Sequence, residues 1–451
     1  MKKFDVVVIG AGPGGYEAAL LLAKEGKNVA IIEKNEKNIG GTCLNEGCIP
    51  AKYYLESASY MEKQDYMQSC GVDIKDMKLD IIALKKTKNE LIEQLRDGIN
   101  AKLKKMKVTV IFGTSSFETS SSIKVGKELI SAKKFIVATG SIHRPHTVLE
   151  VDYKQIISSK EVFNLEKIPT SILIVGAGAI GCEFATLFNS IGVKVDMVEF
   201  TSQIVPAEDI DIAKGLKREL EKKGISISVD TNIIDIVKSS SGVHVTMQTK
   251  KGNMQKQYEL ILVSIGRIPN TEELNLKVAN INSDRGFILT DKYLQTSNNN
   301  IYAIGDVITT PSLAHSAYNE ASIATNNILN SEKNKPLTVI PFVTFCQPQV
   351  ASVGKNEKIL KEEGIEYIVI KHFYKSSAKA KIKGFDGGFI KLICEKQSGV
   401  ILGGAMIGND TTEHIHQILI AINAKLRKDE LANMVFAHPT LSESLWEMVK
   451  Q

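Results

Sequence analysis

Two stretches of the chain share one order of apolar and polar positions. Residues 4–9 form an apolar run suited to a strand buried on both faces of a parallel sheet. A glycine-rich turn follows, then helical spacing over 16–23 and a second apolar run over 28–33. The second copy predicts strands at 171–175 and 194–199, with a helix through Phe184 to Ser190 between them. Two strand–helix–strand units predict two dinucleotide-binding domains.

The segments outside these units predict further helices and a separate C-terminal region. Residues 51–105 look largely helical, and we expect this arm to pack on the first domain. Its apolar side consists of Leu91, Ile92, Leu95, Ile99 and Leu103. Pro336 and Pro341 mark a boundary. Beyond them we predict an α+β domain with a strand at 389–393 and helices near 411–424 and 441–449.

Composition restricts the class of protein. Hydrophobic residues make up 43% of the 451 residues and charged residues 24%, with a net charge of +5. We read lysine runs such as 102–105 and 379–383 as solvated faces and expect no nucleic-acid partner. No stretch approaches the roughly 20 apolar residues that span a bilayer. We therefore expect a cytoplasmic protein without a membrane partner.

Six cysteines are too few, in so long a chain, for a secreted disulfide framework. Cys70, Cys182, Cys346 and Cys394 stand alone, and we expect them to be packed or inert. The other two, Cys43 and Cys48, lie close together in a glycine-rich loop. No set of metal ligands is predicted.

The first glycine turn has the spacing of a dinucleotide fingerprint, with Gly10, Gly12 and Gly15. Glycines there permit a tight turn, a close approach of backbone to pyrophosphate, and close packing of helix on strand. Glu33 ends the next strand, where a carboxylate binds ribose hydroxyls. The alternative is a glycine-rich turn in another kind of α/β protein.

The second turn repeats the pattern with Gly176, Gly178, Gly181 and Glu199. An acidic group at Glu199 repels a 2′-phosphate, so we predict NAD rather than NADP. Two dinucleotide sites in one chain make sense if electrons pass between them, for example from a flavin to NAD.

Residues 40–52 read GGTCLNEGCIPAK. This run resembles the redox-active loop of the class I pyridine nucleotide-disulfide oxidoreductases. A helix N-terminus lowers a thiol pKa, and in a reducing compartment such a pair is more often catalytic than structural. The alternative is two unreactive core thiols. The resemblance implies FAD at the first site, Cys43 as the sulfur that exchanges with substrate, and Cys48 as the sulfur beside the flavin.

The resemblance also assigns roles to a lysine and a glutamate. Lys52 is expected near the flavin ring, and Glu183 is expected to pair with it and to steer hydride transfer. The alternative for Glu183 is an exposed charge on a helix.

A histidine is the natural base for an incoming dithiol because it titrates near neutrality. His438 has the most suitable context, since Glu443 could accept the other ring N–H. The segment resembles the family's catalytic His-Pro-Thr-x-x-Glu motif, which reaches the disulfide of the opposite subunit. That resemblance implies a homodimer with two composite sites.

Further matches extend over nearly the whole chain. Gly140 lies in a segment like the one that closes the first FAD lobe, and Gly266 in one like the exit from the NAD domain. Asp306 resembles the second FAD fingerprint, and Ala314 begins a helix expected to face the flavin. The tripeptide at 313–315 is typical of the family's lipoamide branch.

Three positions depart from that branch's usual pattern, namely Ser316, Gln349 and Phe436. None removes a group that the chemistry requires. They bear on the details of substrate and partner.

The resemblance implies flavin-dependent oxidation of protein-bound dihydrolipoamide with reduction of NAD. Because residue 4 already begins the first strand, we expect the lipoyl group on a separate protein, an acyltransferase or a glycine cleavage carrier protein. The alternatives are a glutathione-type disulfide reductase and a non-catalytic flavoprotein subunit.

The predicted fold is α/β, with two Rossmann-like domains for FAD and NAD and a C-terminal α+β dimerisation domain. The expected divisions are 1–146 for the first part of the FAD domain, 147–267 for the NAD domain, 268–336 for the central FAD part and 337–451 for the C-terminal domain.

Overall fold

The computed structural model describes residues 1–330 and 332–450, so Ser331 and Gln451 lie outside the described residues. The chain groups into two compact units. The first unit contains residues 1–51, 83–144 and 266–338, and the second unit contains residues 52–82, 145–265 and 339–451.

The helices occupy the following ranges in the described part of the chain. They are α1 Pro13–Lys24, α2 Gly41–Glu46, α3 Cys48–Glu62, α4 Gln64–Ser69, α5 Ile81–Lys105, α6 Ser159–Val162, α7 Ala179–Ser190, α8 Ile210–Lys222, α9 Ala314–Leu329, α10 Glu357–Glu362, α11 Ala378–Ile382, α12 Thr411–Asn423, α13 Lys428–Ala432 and α14 Glu443–Val449. Short 3-10 helices lie at Glu36–Asn38, Glu272–Leu274, Gly305–Val307 and Tyr374–Ser376.

The strands run as follows. They are β1 Lys2–Ile9, β2 Val29–Glu33, β3 Thr109–Phe112, β4 Ser115–Thr119, β5 Ser122–Val125, β6 Glu128–Val137, β7 Ser141–His143, β8 Ile156–Ser158, β9 Ser171–Val175, β10 Lys194–Val198, β11 Ser226–Ser228, β12 Asn232–Ser239, β13 Gly242–Thr249, β14 Gly252–Tyr258, β15 Leu260–Val263, β16 Arg267–Pro269, β17 Ser283–Asp284, β18 Phe287–Ile288, β19 Ile301–Ala303, β20 Phe342–Thr344, β21 Gln349–Gly354, β22 Tyr367–Phe373, β23 Phe389–Glu395 and β24 Ile401–Gly408.

The first unit is built on a sheet in the order β3-β2-β1-β6-β5-β4, with β19 also paired to β6. Strand β1 is parallel to both β2 and β6. Its residues from Val6 to Ile9 are at most 1% exposed, which explains why they read as an unbroken apolar run. The carboxyl ends of β1, β2 and β6 therefore lie at one edge of the sheet, where ligands bind in open parallel sheets.

The second unit contains a five-stranded parallel sheet in the order β11-β10-β9-β15-β8. An antiparallel sheet, β12-β13-β14, follows between β11 and β15 in the chain. Helix α7 lies between β9 and β10 in sequence and is buried from Gly181 to Phe188. The order of strand, helix and strand thus matches that of β1, α1 and β2 in the first unit.

The C-terminal part of the second unit is an antiparallel sheet in the order β20-β21-β24-β23-β22. Helix α12 packs on this sheet, with Ile415 and Ile418 in one core with Leu392 and Met406. Such a sheet with helices on it is the α+β arrangement predicted for this region.

One buried charge in the second unit is fully compensated. The Lys391 side chain on β23 is 0% exposed, and its Nζ lies 2.8 Å from Asp209, 3.1 Å from Asp211 and 2.5 Å from Glu357. Removing one partner of a buried ion pair costs about 3–5 kcal/mol, so this lysine ties α10 and the segment before α8 to the sheet.

The structure confirms the predicted fold class and the order of elements in both dinucleotide-binding units. Cys182, Cys346 and Cys394 are buried as expected. No helix in the described ranges is long and apolar enough to cross a membrane.

Three expectations were wrong in whole or in part. Cys70 is exposed, which excludes the packed alternative, while the expectation that it is inert stays a prediction. Leu95 is 42% exposed although it was placed on the apolar side of the arm, because the buried face of α5 passes through Ile92 and Leu103 and leaves Leu95 to one side. Residues 52–82 group with the second unit, so only the part of the arm from residue 83 onward belongs to the first.

Candidate active site

The first glycine turn combines two glycines that the fold requires with one that leaves space. Gly10 has φ +100°, and a Cβ there would lie 2.4 Å from the Ala138 carbonyl oxygen. A Cβ on Gly15 would lie 1.9 Å from the Gly10 carbonyl oxygen. A Cβ on Gly12, however, would meet nothing closer than the Gly41 Cα at 3.9 Å. The turn therefore leaves the amide end of α1 open to a pyrophosphate, which fits FAD.

Glu33 at the end of β2 is oriented toward this turn. Its Oε2 accepts a hydrogen bond from the Ala11 N–H at 2.9 Å, and its Oε1 accepts one from the Lys34 N–H at 2.6 Å. Burial raises the pKa of Glu33, and these hydrogen bonds oppose that effect. The carboxylate is thus fixed beside the open turn, as a ribose-binding group requires.

The second glycine turn has the same geometry. Gly176 has φ +99° and a Cβ there would lie 2.6 Å from the Ser264 carbonyl oxygen. A Cβ on Gly181 would lie 2.0 Å from the Gly176 carbonyl oxygen, whereas nothing lies within 4 Å of a Cβ on Gly178. The amide end of α7 is therefore open in the same way.

Glu199 follows β10 and is the counterpart of Glu33. Its Oε2 accepts from the Ala177 N–H at 2.8 Å, and its Oε1 accepts from the N–H and Oγ1 of Thr201 at 2.8 Å and 2.9 Å. The residue is 8% exposed. A fixed carboxylate at this position fits the ribose of NAD and disfavours a 2′-phosphate.

The two cysteines of the predicted redox loop lie near each other, on two helices. Cys43 is in α2 and Cys48 begins α3. Gly47, with φ −139° and ψ −112°, interrupts the helical conformation between them. Cys43 is partly buried and Cys48 is exposed. The pair predicted in a glycine-rich loop thus lies on two helices separated by one glycine. Cys48 therefore still gains a helix N-terminus, which stabilises a thiolate.

Asn45 anchors the residues between the two cysteines. Its Nδ2 donates to the carbonyl oxygens of Ile39 and Gly41 at 3.0 Å and 2.8 Å, and its Oδ1 accepts from the Arg96 Nη2 at 2.8 Å. The sequence analysis missed this arrangement because Arg96 is 51 residues from Asn45 and belongs to an otherwise ordinary charged helix.

A second group that the sequence analysis missed surrounds Asp306. The Ser141 hydroxyl donates to Asp306 at 2.5 Å, and Arg267 donates to the Ser141 Oγ at 2.7 Å and to its carbonyl oxygen at 2.5 Å. Burial lowers the pKa of Arg267, and the negative charges of Asp306, Glu46 and Cys48 oppose that effect. Arg267 thus links the second predicted FAD segment electrostatically to the redox loop.

Three further residues predicted to bind a cofactor, Gly140, Gly266 and Ala314, lie at two loop positions and a helix end of the first unit. Gly140 and Gly266 have φ of +71° and +100°, and their carbonyl oxygens accept from the N–H groups of Asn270 and Arg144. Ala314 is the first residue of α9, whose N-terminus has no side-chain cap. That end of a 16-residue helix can therefore face a polar group of a ligand.

Lys52 and Glu183 form the expected pair within the second unit. The Lys52 Nζ lies 2.9 Å from each carboxylate oxygen of Glu183, which also accepts from the Phe345 N–H at 2.9 Å. The Glu183 side chain is 7% exposed, so it is not a solvated helix charge. The Lys52 ammonium also lies 4.6 Å from the centre of the Phe345 ring.

His438 and Glu443 also form the expected pair. The His438 Nδ1 lies 2.9 Å from the Glu443 Oε1, and the Glu443 Oε2 accepts from the Thr440 N–H at 2.8 Å. That backbone hydrogen bond, with the one from His438, lowers the pKa of Glu443. With Nδ1 bound, Nε2 is the ring nitrogen left to handle a proton, and the His438 side chain is 77% exposed.

The chain is similar over almost its whole length to known flavoenzymes. Residues 4–321 match the family described as pyridine nucleotide-disulphide oxidoreductase, and residues 340–449 match its dimerisation domain. The mitochondrial dihydrolipoyl dehydrogenase of Pisum sativum is 36% identical over 98% of this chain and 90% of that protein. The dihydrolipoyl dehydrogenase of Chlorobaculum parvum is 37% identical over 99% of this chain and 96% of that protein.

A solved structure shows the same fold. The HOCl-induced flavoprotein disulfide reductase RclA from Escherichia coli superimposes with a TM-score of 0.89 at 28% identity, covering 99% of each chain. The comparisons confirm the predicted family, fold class and cofactors, and the open glycine turns fit two dinucleotides. The chain therefore belongs to the pyridine nucleotide-disulphide oxidoreductase family, as a flavoprotein that uses FAD and NAD.

Proposed function

We propose that this chain oxidises dihydrolipoamide carried on a separate protein and reduces NAD, with Cys43 and Cys48 as its redox disulfide. The observation that carries the proposal is the position of the two cysteines, near each other across the Gly47 break in a unit with an open dinucleotide turn. Full-length similarity to dihydrolipoyl dehydrogenases supports the choice of substrate.

The residues that would hold the cofactors follow from the two turns. Gly10, Gly12, Gly15, Glu33, Gly140, Asp306 and Ala314 would hold FAD, and Gly176, Gly178, Gly181, Glu199 and Gly266 would hold NAD. Bound FAD supplies an acceptor for the electron pair of the reduced cysteines and a hydride donor for NAD.

The thiol exchange proceeds in two displacements. A dihydrolipoyl thiolate attacks the Cys43 sulfur of the oxidised pair, the bond to Cys48 breaks, and Cys48 leaves as a thiolate. The second dihydrolipoyl thiolate then attacks the substrate sulfur bonded to Cys43, and Cys43 leaves as a thiolate. The substrate becomes a cyclic disulfide, and its two electrons remain on the cysteine pair.

His438 would accept the protons of the incoming dithiol. Its Nδ1 contact with Glu443 fixes the ring and stabilises the imidazolium that forms, which leaves Nε2 to act as the base. Loss of such a base costs on the order of 10²–10⁴-fold in rate.

Lys52 and Glu183 would orient the flavin environment. The positively charged Lys52 ammonium is held at a fixed position because both carboxylate oxygens of Glu183 contact it. We propose that this charge favours electron transfer toward the flavin.

The remaining parts of the proposal concern assembly and context. We propose a homodimer, supported by the match to the family's dimerisation domain, in the cytoplasm. The lipoyl group would be carried by an acyltransferase or a glycine cleavage carrier protein. The domain division at residues 146, 267 and 336 is also proposed, and the run of β8 to β15 between residues 156 and 263 supports its middle segment.

A steady-state assay tests the substrate and the nicotinamide cofactor together. Purified holoenzyme should reduce NAD with dihydrolipoamide, should use NADP poorly, and should not reduce oxidised glutathione with either reduced nicotinamide. Efficient glutathione reduction would instead identify a glutathione-type reductase. A protein that holds flavin yet turns over neither substrate would be a non-catalytic flavoprotein subunit.

Cysteine variants test the role of the redox pair. Cys43→Ala should abolish dihydrolipoamide oxidation while FAD stays bound, whereas Cys70→Ala, at an exposed cysteine outside the pair, should retain wild-type activity. In an anaerobic dithiol titration, Cys48→Ser should lose the long-wavelength charge-transfer absorbance. Persistence of that band in Cys48→Ser would contradict the assignment of the inner sulfur.

A further inference from the structure

Two tyrosines of the first unit form a hydrogen-bonded pair that the proposed reaction does not yet use. The hydroxyls of Tyr16 on α1 and Tyr318 on α9 are hydrogen-bonded to each other, and their rings meet edge to face with centroids 6.1 Å apart. Gly14 allows this meeting, because its missing side chain lets α1 approach α9 until a Cβ would lie 3.2 Å from the Ala317 carbonyl oxygen.

The same helix begins against the redox loop. A Cβ on Gly41, at the start of α2, would lie 2.5 Å from the Cα of Gly12, which caps α1. Tyr16 lies one helical turn beyond Gly12, and Cys43 lies two residues beyond Gly41. Tyr16 and Cys43 are thus carried by two helices, α1 and α2, whose first residues touch.

The electrostatics of the tyrosines agree with this placement. Burial, the hydrogen bond to Tyr318 and the charge of Cys43 all raise the pKa of Tyr16. Burial also raises the pKa of Tyr318, the hydrogen bond with Tyr16 lowers it, and the charges of Cys43 and Cys48 raise it. A negative sulfur therefore interacts with both phenols, and it favours their protonated forms.

The hydrogen bond leaves one proton for a third group. Two phenols carry two protons, and their mutual hydrogen bond uses one. Either hydroxyl can donate in this bond, and with Tyr16 as the donor the Tyr318 proton is available to a third group. Tyr318 is 37% exposed, and the charge of Cys43 acts on it, so the two groups are near enough to interact.

We propose that the Tyr318 hydroxyl, polarised by Tyr16, donates a hydrogen bond to the Cys43 sulfur when the pair is reduced. This inference rests on the proposed function of Cys43 as the exchanging sulfur. A thiolate that accepts such a bond is a better leaving group, and Cys43 must leave when the lipoyl disulfide is released. Tyr318 is thereby a positioning residue for the thiol exchange, and Tyr16 supports it through their shared hydrogen bond.

The test measures the ionisation of Cys43 without turnover. Holoenzyme is reduced with dithiothreitol and alkylated with iodoacetamide across a pH series, and Cys43 is followed by mass spectrometry in peptides cut after Glu46, which separates it from Cys48. In Tyr318→Phe the alkylation profile should move to higher pH by about one unit, a roughly tenfold slower reaction on its acidic side. Tyr16→Phe should move the profile in the same direction by less.

The matched control is Tyr293→Phe, which removes a phenol of the same unit that has no interaction with the cysteines among its described contacts. Its alkylation profile should match the wild type, and flavin absorbance should be unchanged in all three variants. Coincident profiles for Tyr318→Phe and Tyr293→Phe would overturn the inference. Failure of the wild type to oxidise dihydrolipoamide would overturn the proposed function instead, and the alkylation result would stand independently.

Discussion

Glu33, Glu183, Glu199 and Glu443 come from unrelated parts of the sequence, yet each accepts a hydrogen bond from a backbone N–H. The donors are Ala11 and Lys34, Phe345, Ala177 and Thr201, and Thr440, respectively. A backbone donor fixes the direction of a carboxylate. The sequence shows the residue type and the spacing, but the donors come from elsewhere in the chain and only the structure identifies them.

Glu208 illustrates a carboxyl whose surroundings act in the opposite direction. Burial raises its pKa to about 7, against the hydrogen bond from the Ser352 hydroxyl and the charge of Lys391, while Asp209 raises the pKa further. Because the folded-state pKa is above the ordinary value, the folded protein binds this proton more tightly than the unfolded chain. The stabilisation is complete below about pH 4.5 and is lost as the pH rises through about 7.

Glu208→Gln should therefore stabilise the protein increasingly as the pH rises from about 4.5 to about 7 and above. The neutral amide keeps an acceptor for Ser352 but never ionises, so the gain over wild type should grow by roughly 2 kcal/mol between pH 5 and pH 8, or about 4 °C in melting temperature. Melting curves of both proteins at pH 5 and pH 8 measure this gain in stability. Glu366→Gln, at a side chain that is 70% exposed, should show no such growth. A constant difference between Glu208→Gln and wild type would refute the account.

The two glycine turns are alike at the level of the element. In each turn, the first and third glycines meet backbone oxygens at distances that exclude a Cβ, while a Cβ on the middle glycine would meet nothing closer than 3.9 Å. The first and third glycines are therefore required by the fold, and the middle one leaves room for a ligand.

Gly178→Ala and Gly181→Ala should separate these two roles. A Cβ on Gly178 meets nothing within 4 Å, so this variant should melt at the wild-type temperature but bind NAD about tenfold more weakly, which is about 1.4 kcal/mol. A Cβ on Gly181 would lie 2.0 Å from the Gly176 carbonyl oxygen, so that variant should lose about 1–3 kcal/mol of stability or more. Quenching of protein fluorescence by NADH and thermal melts provide the two measurements. Equal destabilisation by both substitutions would show that Gly178 is structural as well.

The elements that sequence alone predicted are those with a local periodic signal. The runs at β1, α1 and β2 and at β9, α7 and β10 all lie where the pattern placed them, since a buried parallel strand requires a continuous apolar stretch. The break at Gly47 was missed because glycine permits several backbone conformations and its neighbours do not decide among them. The hydrogen bonds from Arg96 to Asn45 and from Arg267 to Ser141 were missed because long-range side-chain contacts leave no periodic trace.

At the scale of the whole molecule, the chain divides into two units that carry different parts of the proposed reaction. Cys43, Cys48 and the first glycine turn belong to the first unit. His438, Glu443, Lys52 and Glu183 belong to the second. The proposed cycle needs both units, and in the proposed homodimer it needs both chains.

Mixed dimers test that requirement. Cys43→Ala and His438→Gln should each be inactive as homodimers, but in a mixed dimer the intact Cys43 of one chain meets the intact His438 of the other. Random mixing in equal amounts after reversible dissociation should restore about a quarter of wild-type activity, because half of the dimers carry one working site of two. If Cys43 and His438 act within one chain, mixing should restore nothing. Subunit exchange is verified by native mass spectrometry of differently tagged chains.

The His438 side chain is 77% exposed when the chain is considered alone. In a separated subunit, its Nε2 would therefore face bulk solvent. Turnover would then depend on protein concentration. As dilution separates the subunits, each would stay folded with its flavin bound, and the specific activity would decline. The protein concentration chosen for an assay would thus change the specific activity that the assay measures.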